Sequence, residues 1–317
     1  MVDGQRFDKA FSWKATRLGF FLNEALPRVG QWLTNNIFLS AMHKAWGVIE
    51  PEFRLQAHPR YTDNVSTILI NDDLIPALRA GRVLSTYGVR KVVGPRTLEL
   101  DDGSVLEDVD AIIACTGYNT SFDILGDAIT FTQTSDFPKV PSQPDLYQNV
   151  FSLSYPGSLA FLNFIVAPEN AAGCRELASM AIAQVWAGKS RLPSVAQMER
   201  EVAAHQVWFE GRCLSEPVPQ LPGLIRGAPW LQFMHETAGT GLYEYLGGGG
   251  WLGSWKGWMF ALRNLGMYMT MAYGVNTPHL WRFFETGKRR AWEGAEEAIL
   301  RVNELSKKDL AKKEEDK

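Results

Sequence analysis

Residues 88–118 read GVRKVVGPRTLELDDGSVLEDVDAIIACTGY, and the fold class turns on how that stretch is parsed. KVVG and TLEL are short β-rich runs, and Asp101-Asp102-Gly103 between TLEL and SVLEDVD supplies the positive-φ glycine of a tight hairpin. The hairpin leads through Asp110 to Ala111–Cys115. That run is continuously apolar, as expected of a strand covered on both faces of a parallel sheet. It ends in Thr116-Gly117-Tyr118, at the strand edge where open α/β sheets bind ligands. Gly117 would let a backbone approach a cofactor, and Thr116 offers a hydroxyl beside it. From pattern alone, an ordinary strand terminus explains the same residues equally well.

On the N-terminal side, Leu22, Leu26, Val29, Leu33 and Ile37 recur at helical spacing within residues 20–50, interrupted by Pro27. ILI at 68–70 and AIIA at 111–114 share the short β-rich texture. On the C-terminal side, a loop at 137–149 precedes an extended stretch expected over Val150–Val166. A helix with Leu177, Met180, Ala181, Gln184 and Val185 on one face follows, and Gly188 ends it. Ser194 and Gln197 form a capping box for the next helix, with Leu192 and Met198 as its hydrophobic staple. Beyond Phe209 the chain is rich in Gly, Pro and Trp, and helix resumes near Trp255. The terminal KKDLAKKEEDK is expected to be a frayed helix or a solvated tail.

The 317 residues, 46% apolar and 21% charged, can bury a large core, and a net charge of -3 offers no basic field for nucleic acid. Cys115, Cys174 and Cys213 form no CxxC pair, which argues against a disulfide framework and for a reducing, cytoplasmic setting. The first residues lack the apolar run of a secretory signal. Residues 257–275 approach the length of a membrane span, but Arg263 and Asn264 interrupt them, and a central arginine costs about 2.5 to 3.5 kcal/mol on insertion. A packed or peripheral helix is expected instead, with Trp255, Trp258 and Tyr273 as interfacial anchors.

Gly248, Gly250 and Gly253 satisfy GxGxxG formally, yet GLYEYL before them is a poor buried strand and no βαβ unit follows. His43, His58, His205, His235 and His279 are scattered without metal-ligand spacing, and no GxSxG elbow is present. Neither metal nor hydrolase chemistry is legible.

Three segments carry a resemblance. DAIIACTGY (110–118) is similar to the strand-plus-ATGY motif at the junction of the flavin and nicotinamide domains in flavin-containing monooxygenases, with Cys115 in place of the usual alanine and Ala114 where a bulkier residue is common. HPRYTDNVSTILINDDLIPALRAGRVLS (58–85) resembles that family's crossing back to the flavin domain, with Asn71-Asp72, Leu74, Pro76 and a strand start at Gly81-Arg82-Val83. DLYQNVF (145–151) and the residues to Gly188 resemble its last strand and helix. The likeness runs from about His58 to Phe209.

The resemblance implies an α/β, partial two-dinucleotide-binding-domain, Rossmann-like flavoprotein fold with a helical C-terminal extension. Residues 1–60 would be a helical remnant of the nicotinamide domain, 61–190 the C-terminal part of the FAD domain, and 191–317 the extension. It also implies an enzyme that uses FAD, NADPH and O2 to oxygenate nitrogen or sulfur in a small organic substrate. Thr116, Gly117, Tyr118, Asn163, Ala171, Ala172, Gly173, Cys174 and Arg175 would lie nearest the flavin. The family's two glycine fingerprints precede these segments and are not found here, so the chain is expected to be truncated and inactive alone. A Baeyer-Villiger-type enzyme is the alternative within the class. A non-catalytic remnant that binds a partner, such as a complementary N-terminal chain, is the alternative outside it.

Overall fold

A computed structural model describes residues 11–55, 71–115, 121–132, 140–166, 170–215, 221–247 and 254–315. Two helices in contact with each other open the described residues, α1 (Trp13–Ala25) and α2 (Pro27–Trp46). Pro27 separates them by occupying the first turn of α2, where its missing N–H would have had no helical partner. Ser12 caps α1 by accepting from Ala15 N–H. A short helix α3 (Leu74–Arg79) follows, its start tied by Asn71 Oδ1, which accepts from Asp73 N–H and Leu74 N–H at 2.7 and 2.8 Å. Gly81 then takes a left-handed φ of +67°. It stops that helix rather than starting a strand, and among the described residues strand structure begins at Val89. The ILI run lies outside the described residues.

The β-hairpin expectation holds. β1 (Val89–Gly94), β2 (Thr97–Leu100) and β3 (Val105–Leu106) form an antiparallel sheet in chain order. Gly103 has φ +83°, and Asp102 locks the turn by accepting from Ser104 N–H and Oγ–H at 3.0 and 2.6 Å. These hydrogen bonds hold the Asp102 carboxyl below its ordinary range. Leu98 and Leu100 point inward, while Val89, Val92 and Val93 of β1 remain exposed.

The expected buried strand at Ala111–Cys115 is not formed. Among the described residues no strand pairs with it, and Ile112 and Ile113 are 62% and 83% exposed. A continuous apolar run becomes a core strand only when neighbours cover it, and the described residues supply none. All ladders among the described strands are antiparallel, including β4 (Phe131–Thr132) with β5 (Gln143–Pro144) and β6 (Leu146–Tyr147) with β7 (Phe151–Ser152). Gln148 and Asn149 turn the last hairpin with φ of +55° and +57°. Val150–Val166 is therefore no single extended strand: it leaves β7 through a turn at Ser152–Tyr155 and returns to an isolated bridge between Phe151 and Ala160.

The main core lies among the C-terminal helices. α4 (Ala171–Trp186) packs on α6 (Gly227–Ala238), with Leu177, Ala178 and Ala181 facing Trp230, Leu231 and Met234 in one buried cluster. Gly188 (φ +69°) follows the end of α4. Ser194 Oγ accepts from Gln197 N–H at 3.4 Å at the start of α5 (Val195–Ser215), but the Gln197 side chain turns to Glu201, so the reciprocal half of the box is not made. Met198 is buried and Leu192 packs on the same core. α6 was not anticipated: Gly227 and Pro229 fall in its first turn, where they are tolerated, and Trp230, Leu231, Met234 and Ala238 form its buried stripe. α7 (Leu242–Tyr245), α8 (Trp255–Arg263), α9 (Leu265–Tyr273) and α10 (Ala295–Glu315) complete the chain, so the charged terminal run is helical through Glu315. Asn264 breaks the apolar stretch into two short helices, and no described helix is long and apolar enough to cross a membrane.

Candidate functional site

Of the residues expected near a flavin, Thr116, Gly117 and Tyr118 lie outside the described residues, as do Gly248, Gly250 and Gly253. The others occupy the approach to α4 and its first turn. Asn170 caps that helix, its Oδ1 accepting from Ala172 N–H and Gly173 N–H at 2.9 and 3.4 Å. Asn163, Ala171, Ala172 and Arg175 are exposed, whereas Gly173 and Cys174 are buried. A Cβ on Gly173 would stand 3.2 Å from the Trp281 ring. The absence of a side chain there serves helix packing, and the exposed Ala171 and Ala172 are the small residues that leave the turn approachable.

Ala171 and Ala172 leave that turn open to solvent. Small side chains admit a flat ring, and the helix N-terminus carries about half a positive charge. Asn170 already occupies two of its N–H groups. Among the described residues no helix opens on a glycine-rich turn after a strand, so no pyrophosphate cradle accompanies it.

Sequence spacing gave no hint of a second concavity, a cleft of about 910 Å³ between α1, α6, α7 and the 286–288 turn. Arg17 is buried on its wall, with its guanidinium 4.3 Å from the Trp13 ring centroid and 5.7 Å from that of Tyr243. His235 is fully buried at the floor, ringed by Trp13, Tyr243 and Trp281 with centroids 5.2 to 5.7 Å away. Its Nδ1 meets Thr240 Oγ1 at 3.0 Å, while Nε2 has no hydrogen-bond partner among the described residues. Burial first, and then the charge of Arg17, hold the imidazole well below its ordinary pKa, so it is neutral. Trp13 Nε1–H donates to Gly247 O at 3.0 Å across more than two hundred residues of sequence. That separation explains why no local motif announced the cluster.

The sequence model of the flavin-binding monooxygenase-like family matches residues 3–216. Monooxygenase aurF of Gibberella zeae is 33% identical over 95% of this chain and 56% of its own length. Flavin-containing monooxygenase 5 of Cavia porcellus is 26% identical over 96% of the chain and 51% of its own length. A 4-hydroxybenzoate brominase (decarboxylating) of Marinomonas mediterranea is 31% identical over 60% of the chain and 34% of its own length. The chain thus spans about half the length of the two monooxygenases, and their likeness extends through the C-terminal helices as well as the matched segment. With the family pattern covering two thirds of its residues, the chain belongs to the flavin-binding monooxygenase-like family.

Proposed function

We propose that these residues form the C-terminal side of an FAD- and NADPH-dependent monooxygenase that oxygenates nitrogen or sulfur in a small organic substrate. The observation that carries this reading is the family match over residues 3–216. When bound, the flavin supplies the redox chemistry and oxygen activation, and NADPH supplies the electrons. The chain's own part is to position and enclose. Thr116, Gly117 and Tyr118 would face the cofactor from one side, and Asn163, Ala171, Ala172 and Arg175 from the other; Gly173 and Cys174 would support that turn from beneath.

We divide the chain into residues 1–60, from the nicotinamide side; 61–190, a partial Rossmann-like flavin portion; and 191–317, a helical extension. The exposed apolar residues of β1 and Ala111–Cys115 would pack against sequence that supplies the dinucleotide fingerprints, in the same polypeptide or in trans. On this reading the 317-residue chain is inactive alone. Purified, it should be colourless; stoichiometric flavin absorbance at about 450 nm, the general range for bound flavins, would overturn that part. In a chain that carries the fingerprints, Gly117→Ala should lower flavin occupancy far more than Gly188→Ala. Equal occupancy would remove the cofactor role of the turn.

The setting is proposed to be cytoplasmic, with α8 and α9 resting on a lipid surface. Trp255, Trp258, Leu262, Leu265 and Tyr273 are each more than half exposed on these two short helices. Flotation with phosphatidylcholine vesicles should be lost in Leu262→Asp, and its retention would overturn the contact.

A further inference from the structure

We infer that α2 widens the lipid contact of α8 and α9 into a platform, and that the platform selects anionic headgroups. The inference rests on the lipid reading given above for α8 and α9, and adds to it another helix and a charge requirement. α1 packs against both α2 and α9, and α9 against α8, so the four helices form one connected row. Helix α2 is built with its polarity reversed. Val29, Leu33 and Ile37 recur every fourth residue and are 50%, 39% and 42% exposed, with Trp32 beside them at 65%. Gln31, Thr34 and Asn35 are instead half-buried. A water-facing helix shows the opposite pattern.

The other end of the row repeats the stripe. Trp255, Trp258 and Leu262 on α8, and Leu265, Met269 and Tyr273 on α9, recur at three- and four-residue spacing and are 47% to 77% exposed. Single exposed apolar residues are ordinary, whereas stripes on several helices of one row mark a surface that meets another apolar phase. None of these helices is long and apolar enough to cross a membrane, so they would lie along it.

Charge chooses the occupant. The chain's net charge is -3, yet besides the buried Arg17 the four helices carry Lys14, Arg28, Lys44, Lys256 and Arg263 against Glu24 alone. Glu24 pairs with Arg226, and Lys256 with Glu244. The row is therefore basic in an acidic chain. A second copy would bring the same sign of charge to this face and be repelled. An anionic bilayer supplies an apolar phase and the opposite charge together. Arg28, one turn before Trp32, and Arg263, next to Leu262, are both exposed where the stripes would meet headgroups.

The test is sedimentation of the 317-residue chain with two kinds of vesicle, phosphatidylcholine alone and equimolar phosphatidylcholine and phosphatidylserine. Partitioning should be at least about tenfold stronger onto the anionic vesicles and should weaken as salt is raised. Arg28→Gln should lower it about fivefold on anionic vesicles only, and Trp32→Gln should lower it on both. Both side chains are exposed, so an unchanged melting temperature is expected of each variant. Loss of binding in Leu262→Asp with none in Arg28→Gln or Trp32→Gln would leave the α8–α9 contact standing and overturn the platform. Equal partitioning onto the two vesicles would overturn the anionic selectivity, and no binding to either would overturn the platform and the lipid reading together. The Trp32 dependence should persist in a chain that also carries the dinucleotide fingerprints. Its disappearance there would show that protein covers α2, and the platform would have to be given up.

Discussion

The Trp281 indole lies so close to the first turn of α4 that a Cβ on Gly173 would crowd the ring at 3.2 Å. A residue that looks like a cofactor glycine is thus held by a tryptophan more than a hundred positions away. Gly173→Ala has two opposed effects. Alanine improves helix propensity by up to about 1 kcal/mol, while overpacking a buried ring costs about 1 to 3 kcal/mol. A net loss of roughly 1 kcal/mol is expected in urea unfolding, and Trp281→Phe in the same background should relieve most of it. If the two substitutions add without coupling, the packing account is wrong.

Trp13 ties the N-terminal helix pair to the rest of the molecule. It is 0% exposed, stacks edge-on with His235 and Tyr243, and donates to Gly247 O. Trp13→Ala should cost about 3 to 5 kcal/mol, the range for a buried aromatic truncated to a cavity. Trp13→Phe keeps most of the packing and loses the hydrogen bond, so about 1 kcal/mol beyond its volume change is expected. Melting of α1 and α2 well before the C-terminal helices, in wild type, would contradict this anchoring.

What the sequence disclosed was local. Pro27 separating two helices, Gly103 in the hairpin, Gly188 after α4 and Ser194 before α5 each follow from one residue's backbone rules. The failures needed tertiary knowledge. Ala111–Cys115 has the composition of a core strand, but composition cannot state whether neighbours are present. α6 hid behind Gly227 and Pro229, and the Trp13, Arg17 and His235 cluster joins residues whose spacing carries no period. In the candidate site, exposure separated Ala171, Ala172 and Arg175 from Gly173 and Cys174, which no pattern could do.

A buried histidine, His235, and a half-buried one, His205, make stability sensitive to mild acid. Burial, aided by Arg226, lowers the His205 pKa from 6.5 to about 4, and burial with Arg17 places His235 well below 6.5. Both folded-state values are depressed, so the unfolded chain binds protons first. Stability is full above about pH 6.5 and declines as pH falls from there toward 4. The His205 contribution at full expression is roughly 3 kcal/mol. Urea midpoints at pH 7.5, 6 and 5 should fall steadily, and His205→Gln should flatten part of the slope. A midpoint constant from pH 7.5 to 5 would show that neither imidazole is held neutral.

The last prediction distinguishes an exposed segment from an interface. Ile113 is 83% exposed, so in this chain Ile113→Lys removes no packing and should change unfolding free energy by less than about 0.5 kcal/mol. If Ala111–Cys115 packs into a larger sheet once the dinucleotide-binding sequence is present, the same lysine would be buried without a partner. Such a buried charge costs several kcal/mol. Ile113→Lys in that longer chain should therefore lower the melting temperature and the flavin content together, with the 317-residue chain as an insensitive control. Equal tolerance in both chains would mean that Ile113 stays in solvent in each, and the proposed sheet around this strand would have to be given up.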